Sequence, residues 1–114
     1  MTGRRLPAKL EVSGLIRHIE SDGGFATVLN KGDADGGAVL LVVNSRGRYV
    51  TSLERILSIS GAYEWRHTGP GDSAGSVDLP PFLAKRTRSD PDLWIVELDI
   101  ADPERFIAET TALG

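Results

Sequence analysis

The residues best placed to do chemistry lie within 82–99, FLAKRTRSDPDLWIVELD. Lys85, Arg86 and Arg88 cluster at the end of one element, Asp90 and Asp92 flank a proline, and Trp94 follows. Guanidinium groups bind phosphate and carboxylate through paired hydrogen bonds, so this junction suits an anionic ligand or an acidic partner. At helical spacing Arg86 is i+3 from Leu83 and i+4 from Phe82, which sets it on the apolar side. A cation there must reach solvent or find a partner, because burying it unpaired is costly. One reading pairs it with Asp90, Asp92, Glu97 or Glu20, or with the carbonyls of the helix end. The other makes it an anion site.

Other groups offer less. Glu97 and Asp99 share one face of the strand after the junction and could hold a hard cation or act as an acid/base pair. The simpler reading is a strand end turning polar, since no further acid, histidine or nucleophile flanks them. Asp33-Ala34-Asp35-Gly36-Gly37 resembles a fragment of a calcium loop, but Gly37 stands where the next ligand should be, and no glutamate closes the loop. His18 and Asp22, at i and i+4, could orient an imidazole for base work, yet no nucleophile is placed beside them. His67 reads as a plain surface residue. Tyr63 and Trp65 could stack nucleic-acid bases, with Arg46, Arg48, Arg55 and Arg66 on or beside neighbouring strands. No residue is assigned a catalytic role, and neither a metal nor a cofactor is expected.

Those side chains must be positioned by a chain of 114 residues, which fits one domain with a core of its own. The absence of cysteine excludes disulfides, thiolate nucleophiles and cysteine-ligated metals. Residues 1–57 carry 8 basic and 6 acidic groups, and the remainder 5 basic and 10 acidic. Neither half is polybasic, so nucleic acid is an unlikely partner. Arg4-Arg5 is suggestive of an export signal, but Lys9, Glu11 and Arg17 interrupt the apolar run that one needs. No stretch approaches the ~20 apolar residues of a membrane span. The expectation is a soluble cytoplasmic protein.

The first helix runs from Pro7 to Asp22 and ends at Gly23-Gly24, with Ala8, Val12, Leu15, Ile16 and Ile19 as its buried stripe. Leu10 points away from that stripe, either as an ordinary exposed leucine or as part of an interface. Strands are expected at 25–30 and 38–44, joined as a hairpin across the Gly/Asp loop, then at 48–56 and 59–66. A loose loop follows at 67–76. Asp78 reads as the N-cap of a second helix, with Pro80 and Pro81 in its first turn. Asp90-Pro91-Asp92 stops that helix, residues 93–100 form the most apolar strand, and Asp102-Pro103-Glu104 opens a last helix with Phe106 and Ile107 inward.

The order α-β-β-β-β-α-β-α defines a single α+β domain, a mainly antiparallel sheet of about five strands packed with three helices. Strands 39–43 and 93–98 are apolar on both faces and so need cover on both sides. Three helices are few for that task, and a homodimer would supply the rest.

Residues 12–44 and 82–99, with Tyr63-Glu64-Trp65 between them, resemble the small bacterial proteins of domain-of-unknown-function family 1491. The Asp-Pro-Asp-Leu-Trp string after a basic helix end is the most specific part of the likeness. The resemblance implies a single-domain bacterial protein and carries no activity. The chain departs from the family pattern at Ser89, where an aromatic residue is more usual, and at Leu79-Pro80-Pro81, where the family more often has acids and alanines.

The sequence thus points to a non-enzymatic binding or adaptor module. It would recognise a protein or anionic ligand through Lys85, Arg86, Arg88, Asp90, Asp92 and Trp94. The alternative is a small enzyme that holds an anionic substrate on Arg86 and Arg88, with Glu97, Asp99 or His18 as acid/base. A weakly RNA-binding sheet is a third reading.

Overall fold

The computed structural model describes residues 7–72 and 75–112. Arg4-Arg5 and two residues of the 67–76 loop, Ser73 and Ala74, lie outside them. The elements are α1 (Ala8–Ser21), β1 (Phe25–Asn30), β2 (Val39–Ser45), β3 (Arg48–Leu57), β4 (Tyr63–Thr68), α2 (Gly75–Ser89), β5 (Trp94–Asp99) and α3 (Pro103–Ala112).

Helix α1 begins without a side-chain cap. Its first free amides, Ala8 and Lys9, instead donate to the carbonyls of Asp35 and Ala34 at 3.0 and 2.9 Å. The Gly/Asp loop therefore caps a helix: its backbone oxygens meet donors that every helix start leaves unpaired. At the other end Gly23 adopts φ +88°, its amide donates to Glu20 O, and that of Gly24 donates to Ile19 O. These bonds form a Schellman stop, which needs a left-handed residue at this position.

The five strands are ordered β1-β5-β2-β3-β4. The hairpin expected between β1 and β2 does not form, because β5 lies between them. It runs antiparallel to β1 and parallel to β2. The sheet is therefore mixed, with three antiparallel pairings and one parallel. The physical reason is burial. Strands β2 and β5 are apolar on both faces and occupy the middle, whereas β1 is mostly exposed and takes an edge.

The helices divide two and one. Helices α1 and α3 cover the face built from Val39, Leu41, Val43, Leu53, Trp94, Val96 and Leu98. Helix α2 covers the other, where Leu79, Phe82 and Leu83 pack on Leu40, Val42, Leu93 and Ile95. A single copy thus covers both faces of the central strands. The need that a homodimer was expected to meet is met within the chain. At roughly 1.5–3 kcal/mol for each fully buried Leu, Val or Ile, these central strands dominate the stability.

Two element starts differ most from expectation. Strand β4 starts at Tyr63, because Ser58–Ala62 closes the β3–β4 turn: the Ser58 amide donates to Ala62 O at 2.8 Å, and Gly61 has φ +88°. Helix α2 starts at Gly75, so Asp78 lies inside its first turn and is not its N-cap. Pro80 and Pro81 stand beyond that turn and remove two amides from the helical ladder. Both prolines are exposed, so water can reach the carbonyls left without donors.

The β2–β3 turn is tight, with Arg46 at φ 54° and Gly47 at φ 78°. Two consecutive positive φ angles suit the right-handed twist of a hairpin. The Asp99 carboxylate clamps this turn, with Oδ1 accepting from the Arg46 amide at 2.9 Å and Oδ2 from the Gly47 amide at 2.8 Å. Each bond joins a charged acceptor to a backbone donor, so we expect Asp99→Ala to lower unfolding free energy by about 1–3 kcal/mol. Urea denaturation should give Asp99→Asn, which keeps one good acceptor, an intermediate value.

Candidate functional site

The 85–94 junction closes on itself. Arg86 makes a two-pronged bond to Glu54 of β3, Nη1 to Oε1 and Nη2 to Oε2, each at 2.6 Å. The side chains keep only 24% and 18% of their exposure. Hydrogen bonding to Glu54 holds the Arg86 guanidinium above its ordinary value, burial works against it, and the charges of Glu54 and Asp90 add to the rise. The partner is none of the four acids considered from sequence. Glu54 lies 32 residues away and is set opposite Leu40 by the β2–β3 register, on the face that α2 covers.

The other junction residues also have internal contacts. Asp90 Oδ1 accepts from the Asp92 amide at 3.1 Å, and the Asp90 amide donates to Arg86 O at 2.9 Å. The Asp92 carbonyl accepts from the Asp33 amide at 3.0 Å. Trp94 is 4% exposed and its indole N–H donates to Asp33 O at 2.7 Å. The 31–38 loop lies so close over this strand start that a Cβ on Gly32 would meet Trp94 Cδ1 at 2.6 Å and Asp92 O nearer still. Trp94 packs under α1, on the opposite face from Arg86. Lys85 and Arg88 are exposed. The six residues therefore do not surround one space.

The acid/base candidates are separated as well. His18 Nε2 lies 3.6 Å from Asp22 Oδ2 on the α1 side, and both side chains are about two-thirds exposed (68% and 70%). Glu97 and Asp99 pair in register with Val42 and Asn44 on the α2 side, and the Asp99 carboxylate is engaged with the hairpin turn. The Asp33 carboxylate accepts from the amides of Asp35 and Gly36 and so shapes its own loop. His67 is in β4, not in a loop, with Nδ1 2.9 Å from Thr51 Oγ1. Among the described residues no group of three His, Cys, Asp or Glu is arranged to hold a metal ion.

A different place in the fold combines a cavity with polar atoms that lack partners. Helices α1 and α3 lie on the same sheet face and leave a cleft of about 390 Å³ between them. Val12 and Leu15 form one wall, Phe106 the other, and Val39, Leu41 and Trp65 the floor. Arg55 and Glu11 also line it. The Arg55 side chain is 9% exposed, and its Nη1 donates to Glu11 Oε2 at 2.7 Å. Its guanidinium carbon lies 5.3 Å from the centroid of the Tyr63 ring and 5.8 Å from that of Trp65. The two aromatic residues considered for base stacking are thus turned inward onto an arginine. The remaining prongs of the ion pair, Arg55 Nη2 and Glu11 Oε1, are buried without a hydrogen-bond partner among the described residues.

Sequence reasoning placed Arg55 only among basic residues near the sheet and gave Glu11 no role. The signal was the alternation of β3, which turns Arg55 toward the α1 side when Glu54 faces α2. It could not be used without the register.

This two-sided α+β fold is that of a known family. Residues 6–108 match the family described as "Protein of unknown function (DUF1491)", and the chain belongs to it. It resembles a DUF1491 family protein from Caulobacter crescentus CB15 in two structures. The crystal structure shows 31% identity and a TM-score of 0.74, over 83% of this chain and 88% of that one. The NMR structure shows 33% identity and a TM-score of 0.76, over 89% and 91%. Protein Atu0922 from A. tumefaciens is similar at 28% identity with a TM-score of 0.63, over 84% and 86%. No curated protein matches the chain.

The Arg86–Glu54 pair ties α2 to the sheet. Arg86→Ala and Glu54→Ala should each lower unfolding free energy by about 1.5–3 kcal/mol, the range for charged hydrogen bonds. The double variant should fall short of the sum by about 0.5–3 kcal/mol, because the residues touch. Lys85→Ala and Arg88→Ala, on exposed positions, should stay within about 0.5 kcal/mol of the parent in the same urea titrations.

Proposed function

We propose that this protein is a non-enzymatic binding module whose ligand occupies the cleft between α1 and α3. The observation that carries this reading is the half-satisfied Arg55–Glu11 pair, a nearly buried cation and a half-buried anion, each with a buried polar atom unmet among the described residues, lining an apolar cleft. Buried polar atoms are ordinarily paired, and each exception calls for an explanation. A pocket with apolar walls and a few convergent polar groups is the usual form of a small-molecule site. The junction at 85–94, with exposed Lys85 and Arg88, is the competing location for an acidic protein or anionic ligand.

A thermal-shift panel of heterocycles, carboxylates, phosphates and divalent cations separates the two. A compound at a hundredfold excess over its Kd stabilises the folded state by about 2.7 kcal/mol. A cleft ligand should lose its effect in Leu15→Trp, which fills the space, and keep it in Arg86→Ala. The reverse pattern would move the site to the junction.

A second reading, that the protein forms a homodimer, rests on β1. No strand pairs with its outer edge among the described residues. Phe25, Val28 and Leu29 are 73%, 39% and 46% exposed, and no residue from Phe25 to Asn30 is charged. Unpaired strand edges of this kind recruit another strand. Antiparallel pairing of two β1 strands about a twofold would bring Lys31, at one end, toward Asp22 of the second copy. Light scattering at micromolar concentration should then give a dimer for the parent chain and a monomer for Phe25→Lys. A monomeric parent would sink this reading.

A further inference from the structure

We infer that the cleft selects a neutral, planar heterocycle bearing an amide-type edge, a carbonyl oxygen beside a ring N–H, as on an oxo-purine or oxo-pyrimidine base. This inference rests on the cleft reading and adds the chemistry of its ligand. Arg55 and Glu11 share one hydrogen bond, and the terminal atoms left without a partner among the described residues are a donor nitrogen, Nη2, and an acceptor oxygen, Oε1. The partner that completes both offers an acceptor and a donor side by side. A carbonyl takes the Nη2 hydrogen, and the adjacent N–H donates to Oε1.

Charge narrows the class further. The pair is neutral as a whole, so a carboxylate ligand would meet Glu11 and an ammonium would meet Arg55, each at a cost in a low-dielectric site. The walls suit a flat ring, because Trp65 and Phe106 present aromatic surface beside Val12, Leu15 and Leu41. A cleft of about 390 Å³ has room for a bicyclic base. Both atoms are shut off from solvent in this structure, so a ligand reaches the edge by opening the pair. Glu11 keeps 26% of its side-chain exposure, and the last torsion of a glutamate is broad, so its carboxylate can turn Oε1 toward the cleft.

The test is an amide-resolved NMR titration of the full chain with uracil and with hypoxanthine, against 1,3-dimethyluracil, which keeps the ring and loses the N–H. The expected result is saturable shifts at Val12, Leu15, Phe106 and the Trp65 indole for the first two. The methylated ring should bind at least tenfold more weakly. Glu11→Gln should abolish the discrimination, since its amide nitrogen offers donors where the carboxylate accepts. Its amide spectrum shows whether the variant is folded, and the comparison of ligands on the parent chain does not depend on it. Equal binding of uracil and 1,3-dimethyluracil in the cleft would overturn the edge reading and leave the cleft standing. Shifts confined to 85–94 would overturn both. No shift with either base at millimolar concentration would overturn the inference, with a buried water then completing the pair.

Discussion

The last strand has to enter a slot that the first two leave open, and most of the molecule is arranged around that entry. Strand β5 pairs with β1 on one side and β2 on the other. The connection between those two strands must therefore pass over the point where β5 begins. It does so by bonding to it. Asn30 Nδ2 donates to Leu93 O at 2.7 Å, the Asp33 amide to Asp92 O, the Trp94 amide to Ala38 O and the Trp94 indole to Asp33 O. The same loop caps α1 through the carbonyls of Ala34 and Asp35. The Asp-Pro-Asp-Leu-Trp string is thus a seat for the loop that holds both α1 and the sheet centre. Substitution at Gly32 or Gly37 would push that loop off the strand.

Once β5 is seated, β3 shares out the charges. Glu54 and Arg55 are neighbours on one strand, so their side chains leave by opposite faces. Glu54 receives Arg86 of α2, and Arg55 receives Glu11 of α1. Each pair fastens a helix to the sheet, but they differ in completeness. The Arg86–Glu54 pair uses two parallel bonds, the geometry in which guanidinium and carboxylate satisfy one another best. The Arg55–Glu11 pair uses one bond and is more deeply buried on its cationic side. Charges removed from water are costly unless hydrogen bonds replace the lost hydration. The first pair is therefore explained as structure alone, while the second carries an unmet cost.

Reading the sequence recovered what is local. The stripe of α1, its stop at Gly23-Gly24 and the start of α3 at Asp102 follow from spacing and cap chemistry. The Arg105 amide does donate to Asp102 Oδ1 at 3.1 Å. The family also follows from quoted residues. What failed depends on partners far apart in the chain. The β1–β2 hairpin was the natural reading of adjacent strands, and it lost to the burial of a strand more than 60 residues later. Arg86 was placed correctly on the apolar side of its helix, but its partner is set by strand register. Asp99 read as a polar strand end because the turn it clamps lies 53 residues upstream. The two prolines sit deeper in α2 than helix rules favour because the helix begins four residues earlier than an N-cap at Asp78 suggested. The cleft was invisible for the same reason as the partners: it is bounded by α1, α3 and three strands, and no one of them signals a gap.

The existence of that gap is the remaining physical question. A chain under selection for stability alone would gain by closing it. Filling a space lined by Val12, Leu15, Leu41 and Phe106 with larger apolar side chains recovers contacts that a cavity forfeits. Replacing a half-bonded ion pair with apolar residues of similar volume is commonly neutral or stabilising. Both changes are open to a helix such as α1, whose apolar stripe already includes the cleft positions. A cleft that keeps its volume and also keeps a cation and an anion inside it runs against both terms at once. Local departures from the stable solution are where proteins place binding. The junction at 85–94 shows no such departure: its cation is doubly bonded, its tryptophan is buried with its N–H satisfied, and its free charges are solvated.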